Sequence, residues 1–270
     1  MSEALELLDR ERILAGLTTA VSSWLSRLEV HPVLDSTNNY LLAKVGEGWP
    51  SGAVCLTEQQ QAGRGRLGRS WLSPFAAGLA GSLLWRFLLP AAALSGLSLA
   101  VGIAVARTLH RLGVTEAGLK WPNDLLWRQR KLGGILLEFG GESGGPCQVV
   151  TGIGLNVAMP RPAEAAIDQP WVDLRQILGP GQVSRHRLAT VLLSELVAVF
   201  TRFEQTGFAG FQADWQRFDL THGQPVRLTL PTSTVDGIAR GVDDSGALLL
   251  ETADGVRRFL GGEISLRLRP

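Results

Sequence analysis

From Phe87 to Ala106 the chain carries no charged residue, and this stretch restricts the possible folds more than any other. A helix that is apolar all round has to be surrounded, by lipid or by protein. Pro90 is expected to start the helix, which then runs to about Leu112. The part up to Ala106 is short for a bilayer and rich in Ala, Gly and Ser, so the reading is a fully buried core helix. With 270 residues, 45% of them hydrophobic and 19% charged, the chain can build that core as one large globular domain plus a small appendage.

Charge and cysteine usage exclude several classes. Against 26 basic residues stand 25 acidic ones, so no global field draws the protein to nucleic acid or to an anionic membrane, and any anion site has to be local. Cys55 and Cys147 lie far apart, with no metal-ligand spacing and no expected disulfide. The N-terminus has neither the basic flank nor the apolar block of a secretory signal. A cytoplasmic protein with no membrane partner is expected.

The spacing of Ile13, Leu14, Leu17, Val21, Trp24, Leu25 and Leu28 predicts one amphipathic helix over Asp9 to Leu28. His31 to Leu34 reads as a short strand, and Ser36 as the N-cap of a helix holding Tyr40, Leu41 and Leu42. Strands are expected at Ala53 to Glu58, Leu79 to Phe87, Gly118 to Trp121, Lys131 to Phe139 and Gln148 to Val157. Arg187 to Gln205 is a helix with an apolar stripe, and a second helix covers Phe208 to Phe218. After His222 come short alternating runs, Pro225 to Leu230, Val235 to Val242, Ala247 to Glu251 and Val256 to Phe259, the pattern of a small β-barrel. The expected class is α+β, a mixed or antiparallel sheet with flanking helices over 1–221 and a small C-terminal β-domain over 222–270.

Chemistry concentrates in three places. The loop Gly63-Arg64-Gly65-Arg66-Leu67-Gly68-Arg69 matches the dinucleotide pattern G-x-G-x-x-G, a weak signal by itself. A Rossmann turn needs a helix directly after it and an acidic residue about twenty positions on; Trp71 to Pro74 does not start a helix, and Ala80 to Leu94 holds no acid. Three arginines in a glycine-rich backbone make an anion cradle instead. Lys120-Trp121-Pro122-Asn123-Asp124 sets a lysine, an amide and a carboxylate around a proline turn, and Lys131-Leu132-Gly133-Gly134 adds a second lysine where a ligand can approach the backbone.

These segments, with Asp35-Ser36-Thr37-Asn38, Gln59-Gln60-Gln61-Ala62 before the loop, Arg130 to Leu136 and Gly152-Ile153-Gly154-Leu155-Asn156, resemble the successive motifs of biotin protein ligases, in their order. Gly246-Ala247-Leu248-Leu249 and Gly261-Gly262-Glu263-Ile264-Ser265-Leu266 resemble that family's SH3-like C-terminal domain. The resemblance implies a class II synthetase-like catalytic fold. It also implies ATP-dependent conversion of biotin to biotinyl-5'-adenylate and transfer to a lysine of the biotin carboxyl carrier protein of acetyl-CoA carboxylase. Biotin is then a substrate and ATP with Mg²⁺ the co-substrates, with no permanently bound cofactor and no protein-held metal site.

By the same resemblance Ser36, Thr37, Asn38, Gln60, Gly63, Arg64, Gly65 and Gly134 hold biotin, the hydroxyl and amide groups suiting a neutral ring with donors and acceptors. Lys131 sits at biotin's carboxylate and the α-phosphate. Arg66 and Arg69 belong to a loop closing over the adenylate, and Asn123, Asn156 and Trp171 face the nucleotide. Asp124 orients the acceptor lysine or a metal-bound water, and Trp71 forms an apolar wall. Leu67 and Ser70 depart from the basic residues of bifunctional members. The motifs begin too near the N-terminus for the winged helix-turn-helix of members that repress transcription, so no nucleic-acid partner is expected, and the protein is a monomer or a homodimer. Lipoate and octanoyl transferases, and a non-catalytic biotin sensor, are the rival classes; the Gly-Arg-Gly-Arg and Lys-Trp-Pro-Asn-Asp segments favour a biotin enzyme.

Overall fold

The helix expected from Asp9 to Leu28 is replaced by three elements. In the computed structural model, which describes residues 6–140, 146–160, 167, 169–261 and 265–268, Asp9 caps α1 (Arg10–Ala15) by accepting the Arg12 amide at 2.8 Å. Thr18 caps α2 (Thr19–Ser22), and strand β1 runs over Arg27–Leu34, earlier than expected. Helical spacing of apolar residues persists, but the helix stops at Gly16, where a later helix packs close. A Cβ on Gly16 would lie 2.9 Å from Thr190, whose hydroxyl donates to the Ile13 carbonyl at 3.1 Å.

The chain continues through α3 (Thr37–Gly46), β2 (Ala53–Gln60), β3 (Gly78–Phe87), α4 (Leu97–Arg111), β4 (Ala117–Lys120), β5 (Asp124–Trp127), β6 (Arg130–Gly140) and β7 (Cys147–Asn156). The apolar stretch does form a buried helix, although not from Pro90: Ala91–Leu94 is a 3-10 turn. At Gly96 the backbone turns left-handed (φ +77°) against Phe208, where a Cβ would sit 2.5 Å from the ring, and α4 begins after it. By length and composition this stretch is apolar enough to cross a membrane, yet its residues from Leu99 to Ala106 are buried in protein.

Seven strands form one sheet in the order β1-β2-β3-β7-β6-β5-β4, parallel only between β1 and β2. β5 was not expected. The β5–β6 hairpin turns through Arg128 and Gln129 at positive φ (46° and 64°), where the sequence offers none of the Asn-Gly or Asp-Gly signals of such turns. After β7 come α5 (Leu174–Leu178), α6 (Arg185–Thr206) and α7 (Gln212–Phe218), the last preceded by a 3-10 turn over Phe208–Phe211 rather than a continuous helix.

Strand alternation divides the sheet into two faces. Val149, Ile153 and Leu155 of β7 join the main core with α4 and α6, whereas Val150 packs under Leu41 of α3 on the opposite face. Beyond α3 that opposite face carries the cavity described below. A second, antiparallel sheet of β8 (Pro225–Thr229), β9 (Thr234–Val242), β10 (Leu248–Thr252), β11 (Gly255–Phe259) and β12 (Ser265–Leu268) has the order β11-β10-β9-β8-β12, in keeping with an SH3-like domain. Gly262, Glu263 and Ile264 of the C-terminal motif lie outside the described residues. The β9–β10 turn docks on the first unit: Gly246 accepts the buried Trp121 indole N–H at 3.1 Å, and Ser245 accepts the Ser95 hydroxyl at 2.8 Å.

Candidate active site

One end of the cavity is built by the start of α3. Ser36 caps the helix by accepting the Asn39 amide at 3.4 Å. Thr37 donates its backbone N–H to Gln60 Oε1 at 2.9 Å, and its hydroxyl lies 3.2 Å from the same oxygen, leaving the Gln60 NH₂ as the group with hydrogens to offer. Asn38 donates from Nδ2 to the Leu136 carbonyl at 3.2 Å and to Glu138 Oε2 at 2.7 Å. The Ser82 hydroxyl lies 2.6 Å from Asn38 Oδ1 and 2.7 Å from Thr37 Oγ1. Ser36, Thr37, Asn38 and Ser82 are all buried, so this is a neutral, hydrogen-bonding end with most of its polar atoms committed.

The floor is glycine because side chains from outside the sheet lie flat on it. A Cβ on Gly152 would fall 2.3 Å from Asn38 Oδ1, and one on Gly154 would fall 2.5 Å from the Trp71 indole. Trp71 is held from behind through its main chain, the backbone N–H donating to the Gly63 carbonyl at 2.7 Å, and a Cβ on Gly63 would lie 2.5 Å from the Trp71 carbonyl. The loop turns through Arg66–Gly68 as a 3-10 turn, with Leu67 at φ 58° and no helix following, which disposes of the Rossmann geometry.

Past Trp71 the cavity becomes cationic. Asp124 is clamped between Lys120 Nζ at 2.7 Å and Lys131 Nζ at 2.8 Å, the lysine side chains 16% exposed and the carboxylate 13%. Burial works against charge on Asp124, but the two ammonium groups outweigh it and hold the carboxyl below the ordinary carboxylate range. Burial also lowers the proton affinity of Arg66; the charge of Asp124 opposes that, and Arg69 adds to it. The Arg66 guanidinium donates to Asn123 Oδ1 at 3.1 Å, while Asn123 Nδ2 donates to the Ile135 carbonyl at 2.9 Å. Trp171 stands beside Lys131 through a parallel bridge, the Lys131 N–H donating to the Pro170 carbonyl at 2.8 Å.

These two ends and the indole between them border one cavity of about 430 Å³, lined by every expected site residue except Gly63. Gly63 lies behind Trp71, where only a glycine allows the approach. Four expected groups are engaged with neighbouring residues in ways the sequence did not show. The Asn38 amide is fully used in fastening α3 to the sheet. Arg64 pairs with Glu138 Oε1 at 2.9 Å and with Asn39. Asn156 donates to the Val172 carbonyl at 3.1 Å and the Lys131 carbonyl at 3.4 Å, which ties the lysine to the Trp171 segment. Both oxygens of Asp124 already accept from ammonium groups, one lysine on each. Arg69 reaches Ser265 of β12 at 3.5 Å, which brings the second sheet to the cavity rim. Sequence reasoning missed Ser82 and Glu138. The second had a signal, a carboxylate at Glu138 inside the apolar run Ile135 to Phe139; Ser82 had none.

Fold and cavity together define the class of the biotin and lipoate protein ligases. Residues 30–156 match the Biotin/lipoate A/B protein ligase family, and residues 221–267 match the Biotin protein ligase C terminal domain. Over 267 residues the chain is 43% identical to the Bifunctional ligase/repressor BirA of Escherichia coli, covering 99% of this chain and 80% of that one. It is 38% identical over 250 residues to the Biotin--[acetyl-CoA-carboxylase] ligase of Mycobacterium tuberculosis, 90% of each. Among solved structures, the biotin protein ligase from Aquifex aeolicus in complex with biotin and ATP matches with a TM-score of 0.76 at 28% identity, over 91% of this chain and 100% of that chain. The chain belongs to the biotin protein ligase family.

Proposed function

We infer that the protein activates biotin with ATP to biotinyl-5'-adenylate and transfers the biotinyl group to a lysine of the biotin carboxyl carrier protein of acetyl-CoA carboxylase. The observation that carries this reading is a single cavity with a neutral hydrogen-bonding end at Thr37 and Gln60 and a cationic end at Lys131 and Arg66, with the Trp71 indole between them. A neutral ureido ring suits the first end, and an apolar valeryl chain suits the indole. The carboxylate then arrives at Lys131.

In the first step a carboxylate oxygen forms a bond to the α-phosphorus and pyrophosphate leaves. In the second, an acceptor amine attacks the acyl carbon, AMP leaves with the bonding pair, and the amine loses a proton. Both partners of the first step are anions, so the chain's contribution is cationic: Lys131 and Arg66 offset the repulsion and stabilise the charge gathered at phosphorus. Asp124, held ionised, keeps Lys120 and Lys131 in place. Trp171 offers a face for adenine. Mg²⁺ would accompany the ATP phosphates as their counter-ion and supply charge neutralisation there.

The catalytic unit spans 1–221 and the SH3-like unit 222–270. Free, buried Cys55 and Cys147 support a reducing cytoplasmic location. The near-balanced charge is in keeping with a protein that has no nucleic-acid partner, and the protein acts as a monomer or a homodimer. Biotin-dependent ATP–pyrophosphate exchange, followed by mass-spectrometric detection of biotin on the carrier lysine, is the test. Exchange that needs lipoate in place of biotin, or no exchange at all, would overturn the assignment.

A further inference from the structure

Glu138 lies on β6 on the cavity side of the sheet, and no part of the reaction requires a carboxylate there. Its position is nevertheless specific. Oε2 accepts Asn38 Nδ2 at 2.7 Å, and the carboxylate takes Arg64 Nη2 at 2.9 and 3.1 Å. One side chain thus joins the sheet, the second residue of α3 and the glycine-arginine loop.

An ionised carboxylate can only accept hydrogen bonds, and that gives the neighbouring groups a direction. The Asn38 NH₂ has to face Glu138 at 2.7 Å, with the Leu136 carbonyl as a second, longer acceptor at 3.2 Å, so Asn38 Oδ1 faces Ser82 and takes its hydroxyl proton at 2.6 Å. With that proton committed, the 2.7 Å contact between Ser82 and Thr37 is donated by Thr37, whose other acceptor, Gln60 Oε1, lies farther off at 3.2 Å. The Thr37 backbone N–H independently turns Gln60 Oε1 toward itself. The cavity therefore meets Thr37 as an oxygen with lone pairs free and Gln60 as an NH₂ donor. That arrangement is complementary to a ligand with an N–H beside a carbonyl.

We propose that Glu138 is a positioning residue that sets the polarity of the chain Asn38–Ser82–Thr37 and thereby the pocket's recognition of a cyclic urea. This rests on the biotin reading of the cavity. Neutral glutamine at this position keeps the shape but brings a donor as well as an acceptor to Asn38, so only the longer contact to the Leu136 carbonyl is left to hold the chain's direction. Surface ion pairing with Arg64 alone has little energetic weight; the buried chain behind it is what the charge orients.

The test is a double-mutant cycle in biotin affinity, measured by calorimetry on the full chain, with Glu138→Gln, Ser82→Ala and the pair. Each single substitution is expected to weaken biotin about tenfold (~1.4 kcal/mol). The double variant is expected to be no weaker than the worse single one, because either change already breaks the chain. The KM for ATP should stay within about twofold, since Lys131, Asn123 and Arg66 lie beyond Trp71. Losses that add in the double variant, or parent-like affinity in Glu138→Gln, overturn the proposal. If Glu138→Gln is unfolded at the assay temperature, Ser82→Ala decides alone: about tenfold loss supports the chain and unchanged affinity overturns it. A parent protein that binds no biotin at all fails the functional reading instead.

Discussion

Lys131 shows how far one residue's surroundings decide its role. Its ammonium is a partner of Asp124, but not the only one, because Lys120 holds the other oxygen at 2.7 Å. Truncating Lys131 therefore leaves the buried carboxylate compensated, and the usual penalty for stranding a buried charge does not arise. What is lost is the cation at the reacting oxygens. Lys131→Ala is expected to melt within a few degrees of the parent and to lose on the order of 10²–10³ in adenylation rate. Pyrophosphate exchange and a thermal melt on the same preparation check this; near-parental exchange would remove Lys131 from the chemistry.

At the scale of elements, β7 and β6 are strands whose glycines provide depth to the cavity. Gly154 and Gly134 both lie on the cavity floor, yet added methyl groups meet different surroundings. On Gly154 a Cβ would come within 2.5 Å of Trp71, whereas on Gly134 the nearest atoms, in Lys131 and Trp71, are 3.7 Å away. Gly154→Ala should displace the indole, lower stability by about 1–3 kcal/mol as overpacking does, and weaken biotin binding. Gly134→Ala should leave the melting temperature unchanged and weaken biotin alone, its methyl occupying ligand space. Equal melting temperatures for the two variants would mean that Trp71 is not seated on the sheet.

The whole molecule carries depressed carboxyl groups in separate regions. Burial disfavours ionised Glu6, Glu29, Asp124 and Asp243, but in each the hydrogen bonds and nearby cations outweigh it: Arg185 N–H and His186 at Glu6, Tyr40 and His31 at Glu29, the two lysines at Asp124, Ser245 and Arg258 at Asp243. A carboxyl whose folded pKa lies below its unfolded value adds stability that is complete above the unfolded value, near 4, and is lost as pH falls through the folded one. The melting temperature should therefore be level from pH 7 to about 5 and fall below about pH 4. Asp124→Asn should melt lower than the parent at pH 7, with the gap closing toward pH 3. A gap that widens with acid would contradict the charge clamp. In the neutral range Cys55, which burial above all pushes up to about 12, stays a thiol and contributes nothing to this profile.

Much of this was legible in the chain. Helical periodicity marked α6, alternation marked the C-terminal strands, and the Ser36 cap marked α3, because each is a local pattern with a local cause. Motif order brought nearly every cavity residue to notice. Two kinds of information were not local. At the breaks at Gly16 and Gly96, Thr190 and Phe208 pack where a Cβ would stand, and both lie far along the chain, so the apolar spacing around the glycines kept predicting helix. Likewise Asn38 finds its partners on strands remote in sequence, at Ser82, Leu136 and Glu138, and Arg64 pairs with Glu138. By itself the sequence determined which chemical groups the protein possesses and most of the segments with a strong local period, α6 and the C-terminal strands among them. Only the tertiary structure decided which of those groups remain available to a ligand and which are spent on one another, because a hydrogen bond or ion pair is a matter of distance in space, and folding alone sets that distance.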